Sequence, residues 1–369
     1  MAGKDKIGTR EAIAATIYFL STKLLISFPQ HMAEMGQTAA WIVPAVSFAT
    51  ATLGFLVIVA LLKRYPGMSI VEASEKAGGP VLGVIASLGY FAFFFSTTVL
   101  LIREFSETVS TALLPRTPLS VIMGVFIIAT LVAAYMGLEA ITRAALAGMP
   151  LIIGTLILLN ILLLPQSNLD TIFPLFGPGI GKIAYNGVIH SGIAGEIMFL
   201  CIIAGQLGEK HKVQRIGLIS LAVSAVLMIM STLNYSAVFP YPLSVHIAYP
   251  GYEASTLIYM GRFLQRIEVA FVFLWVISAC IHLALSGYTT AVIIQDILKL
   301  PSYKPLLPAL AILGFTLALV PSDVPQATYV DFMIVKTYGG LVLFVVPLIL
   351  LLISRLRGGQ NINRGRVGS

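Results

Sequence analysis

Two charged residues stand where charge is expensive. Lys23 lies in mid-course of the apolar run that begins near residue 9, and Glu196 in mid-course of the run that begins near residue 183. A lysine at the centre of a bilayer costs roughly 2.5–3.5 kcal/mol on insertion scales, so it is expected to face a protein interior and to have a partner. Lys23 can act as a fixed cation for a ligand carboxylate or fill the place of a coupling sodium ion. The alternative, snorkelling to an interface along its four-carbon stem, is hindered by its distance from both ends of the run. Glu196 can receive a ligand ammonium, titrate as a proton-coupling group, or simply pair with Lys23.

Around each charge the helical pattern is interrupted. Ser21, Thr22, Lys23 and Leu24 are followed by Pro29, while His190, Ser191, Gly192, Ile193, Ala194, Gly195 and Glu196 gather small and polar residues in mid-run. Unwinding frees backbone N–H and C=O groups near the midplane, and paired broken segments are the sequence mark of a transporter-like site. The half-helix N-termini so created attract an anion such as a carboxylate. Small residues also serve close helix packing, so the reading rests on the pair of interruptions and not on either one.

Other polar residues are assigned lesser roles. Arg103 and Glu107 are four apart and share a helix face, which suits a structural ion pair. Tyr90, Phe94, Thr97 and Thr98 form a row with aromatic and hydroxyl groups that can line a small pocket, and Ser278 follows Trp275 inside a later run. Arg266 and Glu268 are two apart and face different partners. Asp331 and Lys336, near the start of the last run, are expected to be largely interfacial. His190 beside Ser191 raises the idea of a serine hydrolase, but adjacent residues rarely provide nucleophile–base geometry, and H-S-G-I-A-G is no nucleophile elbow. No metal-ligand spacing or phosphate loop is present. Cys201 and Cys280 lie inside apolar runs and form no disulfide framework. No enzyme activity, cofactor or metal is expected.

The elements that must position these residues follow from composition. Of 369 residues, 58% are hydrophobic and 11% charged, against roughly 25% charged in a soluble chain, and mean hydropathy is +0.94. Too few charges remain to coat soluble domains. The chain reads as an all-α polytopic membrane protein, because lipid cannot satisfy free backbone groups. Runs near 9–34, 40–62, 80–113, 118–137, 140–164, 183–207, 214–238, 264–290, 305–320 and 328–353 give about ten spans. They divide five plus five, which puts the two interruptions in equivalent spans, 1 and 6.

The expected organisation is one transmembrane permease-like domain over 1–353, with repeats at about 9–164 and 183–353, and a basic cytoplasmic tail over 354–369. Segment 63–79 is expected to hold a short helix on the cytoplasmic surface. Segment 239–262, rich in proline and tyrosine, is expected to form an external cap or lid, or equally an ordered re-entry loop, without regular helix. With the N-terminus inside, 16 of the 23 Lys and Arg residues fall on the cytoplasmic side and 3 on the other. This positive-inside asymmetry places both termini in the cytoplasm. It also accounts for the net charge of +7 without a nucleic-acid partner; the expected surroundings are the lipid bilayer.

The stretch STKLLISFPQHMAEMGQTAAW, the KRYPGMSIVE loop, FSETVSTALLPRTP, YMGLEAITRAA and RIEVAFVFLW resemble, in order and across nearly the whole chain, the spore germination permeases, the B subunits of germinant receptors. The resemblance implies an amino acid–polyamine–organocation transporter fold, LeuT-like, with an inverted five-plus-five repeat and broken helices 1 and 6. It also implies recognition of a small germinant, commonly an amino acid, in the cell membrane or spore inner membrane, beside a larger A subunit and a lipoprotein C subunit. Carried over by position, the site falls at Ser21, Thr22, Lys23 and Leu24 and at Ser191, Gly192, Ala194 and Gly195, with Thr97 and Ser278 as walls. Relatives often carry glycines in the first break where this chain has Thr22-Lys23-Leu24, a departure that bears on the ligand class. A proton-coupled amino acid transporter is the alternative function.

Overall fold

The computed structural model describes residues 7–207, 212–258 and 267–356. The tail beyond residue 356, and Arg266, lie outside them. Within the described residues the chain is helical, with one isolated bridge pairing Ile7 and Leu207.

The first repeat begins with a broken span, α1 (Thr9–Ser21) and α2 (Phe28–Gly36), and continues through α3 (Ile42–Arg64), the short α4 (Ile70–Gly78), α5 (Pro80–Ala112), α6 (Leu119–Met136) and α7 (Leu138–Leu163). The second begins with another, α8 (Ile180–Ile189) and α9 (Met198–Ile202). It continues through α10 (Lys212–Val238), the short α11 (Pro250–Thr256), α12 (Ile267–Leu298) and α13 (Leu307–Ala318). Its last span, Val324–Leu356, comprises α14 (Val324–Tyr329), α15 (Thr337–Gly340) and α16 (Val346–Leu356), separated by π-helical turns. Among the described residues, 8 helices are long and apolar enough to cross a bilayer, and the bent α1–α2 pair makes a ninth. The tenth expected run is the shorter apolar helix Lys304–Ala318.

The helix contacts obey the repeat. Exchanging each span for the one five places on turns the α1·α10 contact into α3·α8, and α5·α13 into α6·α12, and all four are present. The α5·α12 and α3·α10 contacts map onto themselves. Span 1 packs on α7, and correspondingly the break of span 6 packs on α15. Outward faces carry bare aliphatic residues, with Leu53 67% and Ile312 70% exposed. Such faces would be untenable in water and suit lipid.

Two connections reverse the chain in a single residue. Gly79 (φ 89°) joins α4 to α5 and Gly137 (φ 96°) joins α6 to α7; this left-handed region costs a side-chain-bearing residue, so glycine fits. The expected short helix at 63–79 is α4, started by a capping box in which Ser69 and Glu72 satisfy each other's backbone N–H groups. One face, Ile70, Val71, Ala73, Ser74 and Ala77, is buried against α5 and α16, while Glu72 and Lys76 are exposed on the other. The cap after α10 differs from expectation. Pro250 starts α11 instead of excluding a helix, because proline at the first turn has no N–H to satisfy.

Gly217 of α10 faces the ring of Phe55 of α3, and a Cβ there would overlap it, whereas Gly154 has open space. Gly217→Ala is expected to cost about 1–3 kcal/mol through forced separation of α3 and α10, and Gly154→Ala nothing comparable. Thermal melting of the two purified variants checks this; equal melting points would refute it.

Candidate functional site

Span 1 opens at the residues picked out by sequence. α1 stops at Ser21, Thr22–Leu25 forms a 3-10 turn, Ile26 leaves helical geometry (φ −111°, ψ −126°), and α2 starts at Phe28. The two halves meet at 66°. Pro29 in the first turn of α2 suits a helix start, because its missing N–H needs no intrahelical partner there. The Thr22 hydroxyl donates back to the Tyr18 carbonyl at 2.7 Å, competing with regular helix bonding there.

Span 6 opens in the same place. α8 ends at Ile189, Ser191–Ile197 is a 3-10 stretch with Ala194 off the helical region (φ −98°, ψ 18°), and α9 follows. His190 closes α8, its Nδ1 2.9 Å from the Asn186 carbonyl. The glycines allow close approach. A Cβ on Gly192 would strike the Lys336 carbonyl and come within 2.7 Å of the Gly340 nitrogen, and one on Gly195 would lie 2.6 Å from the Phe93 ring.

The two breaks meet through charge. Lys23 Nζ donates to the Ile193 carbonyl and to Glu196 Oε2 at 2.7 Å. From the last span, Lys336 Nζ reaches Glu196 Oε1 at 2.8 Å, Thr97 Oγ1 at 3.4 Å and Asp331 Oδ1 at 3.8 Å. It also sits 4.9 Å from the Phe93 ring centre. Lys23, Glu196 and Lys336 are 6%, 1% and 1% exposed, so bulk solvent does little to weaken the attraction. Of the three roles open to Glu196, pairing is the one the geometry realises, with a second lysine added.

Lys336 and Asp331 correct the sequence reading, which placed them at the interface. The last span starts at Val324, so Lys336 lies about three turns in, and the wide turn Val330–Lys336 directs it to the centre. Both are buried. The signal available in sequence was a lysine in an apolar run, the same signal that singled out Lys23. Arg103 and Glu107 do form the expected pair, 2.7 Å apart, and Arg103 also holds the Ser322 carbonyl at 2.8 Å.

The remaining expected residues divide. Thr97 joins the charged cluster through Lys336. Ser21 meets Ser224 of α10 at 3.1 Å. Leu24 lines a separate recess with Pro29, Asn160, Asn234 and Tyr235 beneath the external cap. Ser278 donates to the Leu274 carbonyl at 2.8 Å and meets the Tyr18 hydroxyl, on the far side of α1. Ser191 lies at a lipid-facing groove with Gly340 and Phe344. Four buried residues beside the cluster escaped the sequence reading as site residues: Phe93, Glu104, His31 and Asp331.

The sequence model of the spore permease family, described as "Spore germination protein", matches residues 6–327. The chain is 24% identical over 294 residues, 78% of each chain, to spore germination protein KB of Bacillus subtilis (strain 168). It is 22% identical over 297 residues, 80% of each, to spore germination protein A2 of the same organism. Among solved structures it resembles MhsT in complex with L-phenylalanine, with a TM-score of 0.67 and 14% identity, covering 95% of this chain and 99% of that one. At that identity the likeness speaks for the fold, a LeuT-like bundle.

Removing one member of a buried ionic set strands its partners at about 3–5 kcal/mol. Lys336 serves Glu196, Thr97 and Asp331, whereas Lys23 serves one carboxylate and one carbonyl. Lys336→Met is therefore expected to lower the melting temperature more than Lys23→Met; the opposite order would show that the last span is not what holds Glu196.

Proposed function

Because the chain belongs to the spore germination protein family, we propose that it is the germinant-sensing, permease-like membrane subunit of a spore germinant receptor. It binds a small amino acid between the breaks of spans 1 and 6, with both termini in the cytoplasm. The observation that supports this most is the meeting of the two breaks across Lys23, Ile193 and Glu196. A ligand entering there competes for the same groups. Its carboxylate can be taken by the Lys23 ammonium and by N–H groups freed at Ser191–Ile197. Ser21, Thr22, His190, Gly192, Ala194, Gly195 and Thr97 surround that path, Leu24 and Ser191 lie in a neighbouring recess and groove, and Ser278 supports span 1 from behind.

Binding at the junction favours one arrangement of the broken spans over another, in proportion to its difference in affinity for the two. The shift passes to the larger A subunit and the lipoprotein C subunit as partners. The runner-up, a proton-coupled amino acid transporter, draws on the buried charges. It is separated by uptake of labelled amino acid into proteoliposomes, which a sensor does not show.

Purified protein in lipid nanodiscs, melted in the presence of amino acids, nucleosides and sugars, tests the ligand class. An amino acid at a hundred times its Kd should add about 2.7 kcal/mol of stability, and Lys23→Met should reduce that shift at least several-fold. Stabilisation by nucleosides or sugars alone would displace the amino acid reading.

A further inference from the structure

The charges around Glu196 do not balance. Lys23 and Lys336 face three buried carboxylates, Glu196, Asp331 and Glu104, the last two 4% and 2% exposed. The donors are also unevenly spent. Both lysines bond the two oxygens of Glu196, each gives a further donor to the Ile193 carbonyl or the Thr97 hydroxyl, and Lys336 faces Asp331 Oδ1 only across 3.8 Å, beyond hydrogen-bond reach. Asp331 Oδ1 and Glu104 Oε1 are left buried with no hydrogen-bond partner.

The neighbours offer no remedy. Arg103, next to Glu104 in sequence, is committed to Glu107 and the Ser322 carbonyl. The charged and titratable groups acting on Asp331 are Lys336 of its own span, Glu196, Lys23, His31 of α2 and Glu104 of α5; those acting on Glu104 are Asp331 and Lys336. His31 stacks on Phe332 with ring centres 4.2 Å apart, and its Nδ1 meets Glu34 at 2.9 Å. Its Nε2 is buried and unpartnered.

What the cluster lacks is thus one positive charge, at a place sealed from solvent. An uncompensated charge in such surroundings is neutralised or paired. Among the described residues no three His, Cys, Asp or Glu side chains are grouped to chelate a metal ion, which points away from a polyvalent ion. We infer that Glu104 and Asp331 together hold one monovalent cation, a proton or an alkali ion, at a site adjoining the Lys23–Glu196–Lys336 triad, where Lys336 Nζ lies 3.8 Å from Asp331 Oδ1. The site ties α5 to the last span independently of any organic ligand, so this inference does not rest on the amino acid reading.

The test is thermal melting of the full chain in nanodiscs, in sodium, potassium or choline chloride at equal ionic strength, each at pH 6 and pH 8. A saturable rise of about 2–4 °C with sodium or potassium over choline identifies an alkali ion. A rise of that size at pH 6, the same in all three salts, identifies a proton. Either response should fall by half or more in Glu104→Gln and in Asp331→Asn, which mimic neutralised carboxyls, and persist in Glu253→Gln, in the external cap. No response in the wild type, or a response kept intact by both amide variants, overturns the inference. Should the variants not fold, two direct readouts on the wild-type chain decide. Binding of radioactive sodium or potassium, or an infrared band of protonated carboxyl that disappears on alkalinisation, supports the site; absence of all these refutes it.

Discussion

A single carboxylate, Glu196, held by two lysines from different spans, is the constraint on which the centre of this molecule depends. Lys23 approaches from the break of span 1 and Lys336 from the wide turn of the last span, 2.7 and 2.8 Å from the two oxygens. Neither lysine could remain charged there alone, and Glu196 could not either; each is tolerable only because the others are present. The interaction therefore fixes three spans to one point near the middle of the bundle. Thr97 and Phe93 add α5 to that point by a hydroxyl and an aromatic face beneath Lys336.

This constraint acts on backbone that is already loosened. Ala194 lies off the helical region and Ile26 leaves it altogether, while the last span carries π-helical turns on both sides of Gly339 and Gly340. Gly192 and Gly340 bring the backbones of spans 6 and 10 into direct contact. Regular helix in any of these places would leave fewer free N–H and C=O groups and would aim Lys23 or Lys336 elsewhere. Irregular backbone at this depth is tolerated because it is buried in protein and meets side-chain charge, not lipid.

The paired contacts between the repeats explain why such a centre can exist. α5 and α12 lie across the pseudo-symmetry axis as a packed frame, and each broken span lies against helices of the opposite repeat, α1 on α10 and α8 on α3. The frame contributes apolar and aromatic packing, such as Phe105 against Trp275 at 5.2 Å. The broken spans contribute Lys23 and Glu196, and the last span contributes Lys336.

Much of this was legible in residue order. The scarcity of charge required helices in lipid, the apolar runs gave the spans, and the resemblance together with the two interruptions gave the five-plus-five arrangement and the breaks at Ser21–Leu24 and Ser191–Glu196. Pro29, Gly192 and Gly195 announced those breaks because their effects on the backbone are local. The partnership of Lys336 with Glu196 and the burial of Asp331, Glu104 and His31 were decided by tertiary structure alone. Burial of a charge depends on how far along a span it lies and which way that turn faces. A helix start a few residues earlier, capped by Asp323 with Pro325 in its first turn, and one wide turn moved Lys336 from the expected interface to the centre. Sequence shows where the backbone can break; only packing across the repeats determines which charges meet there.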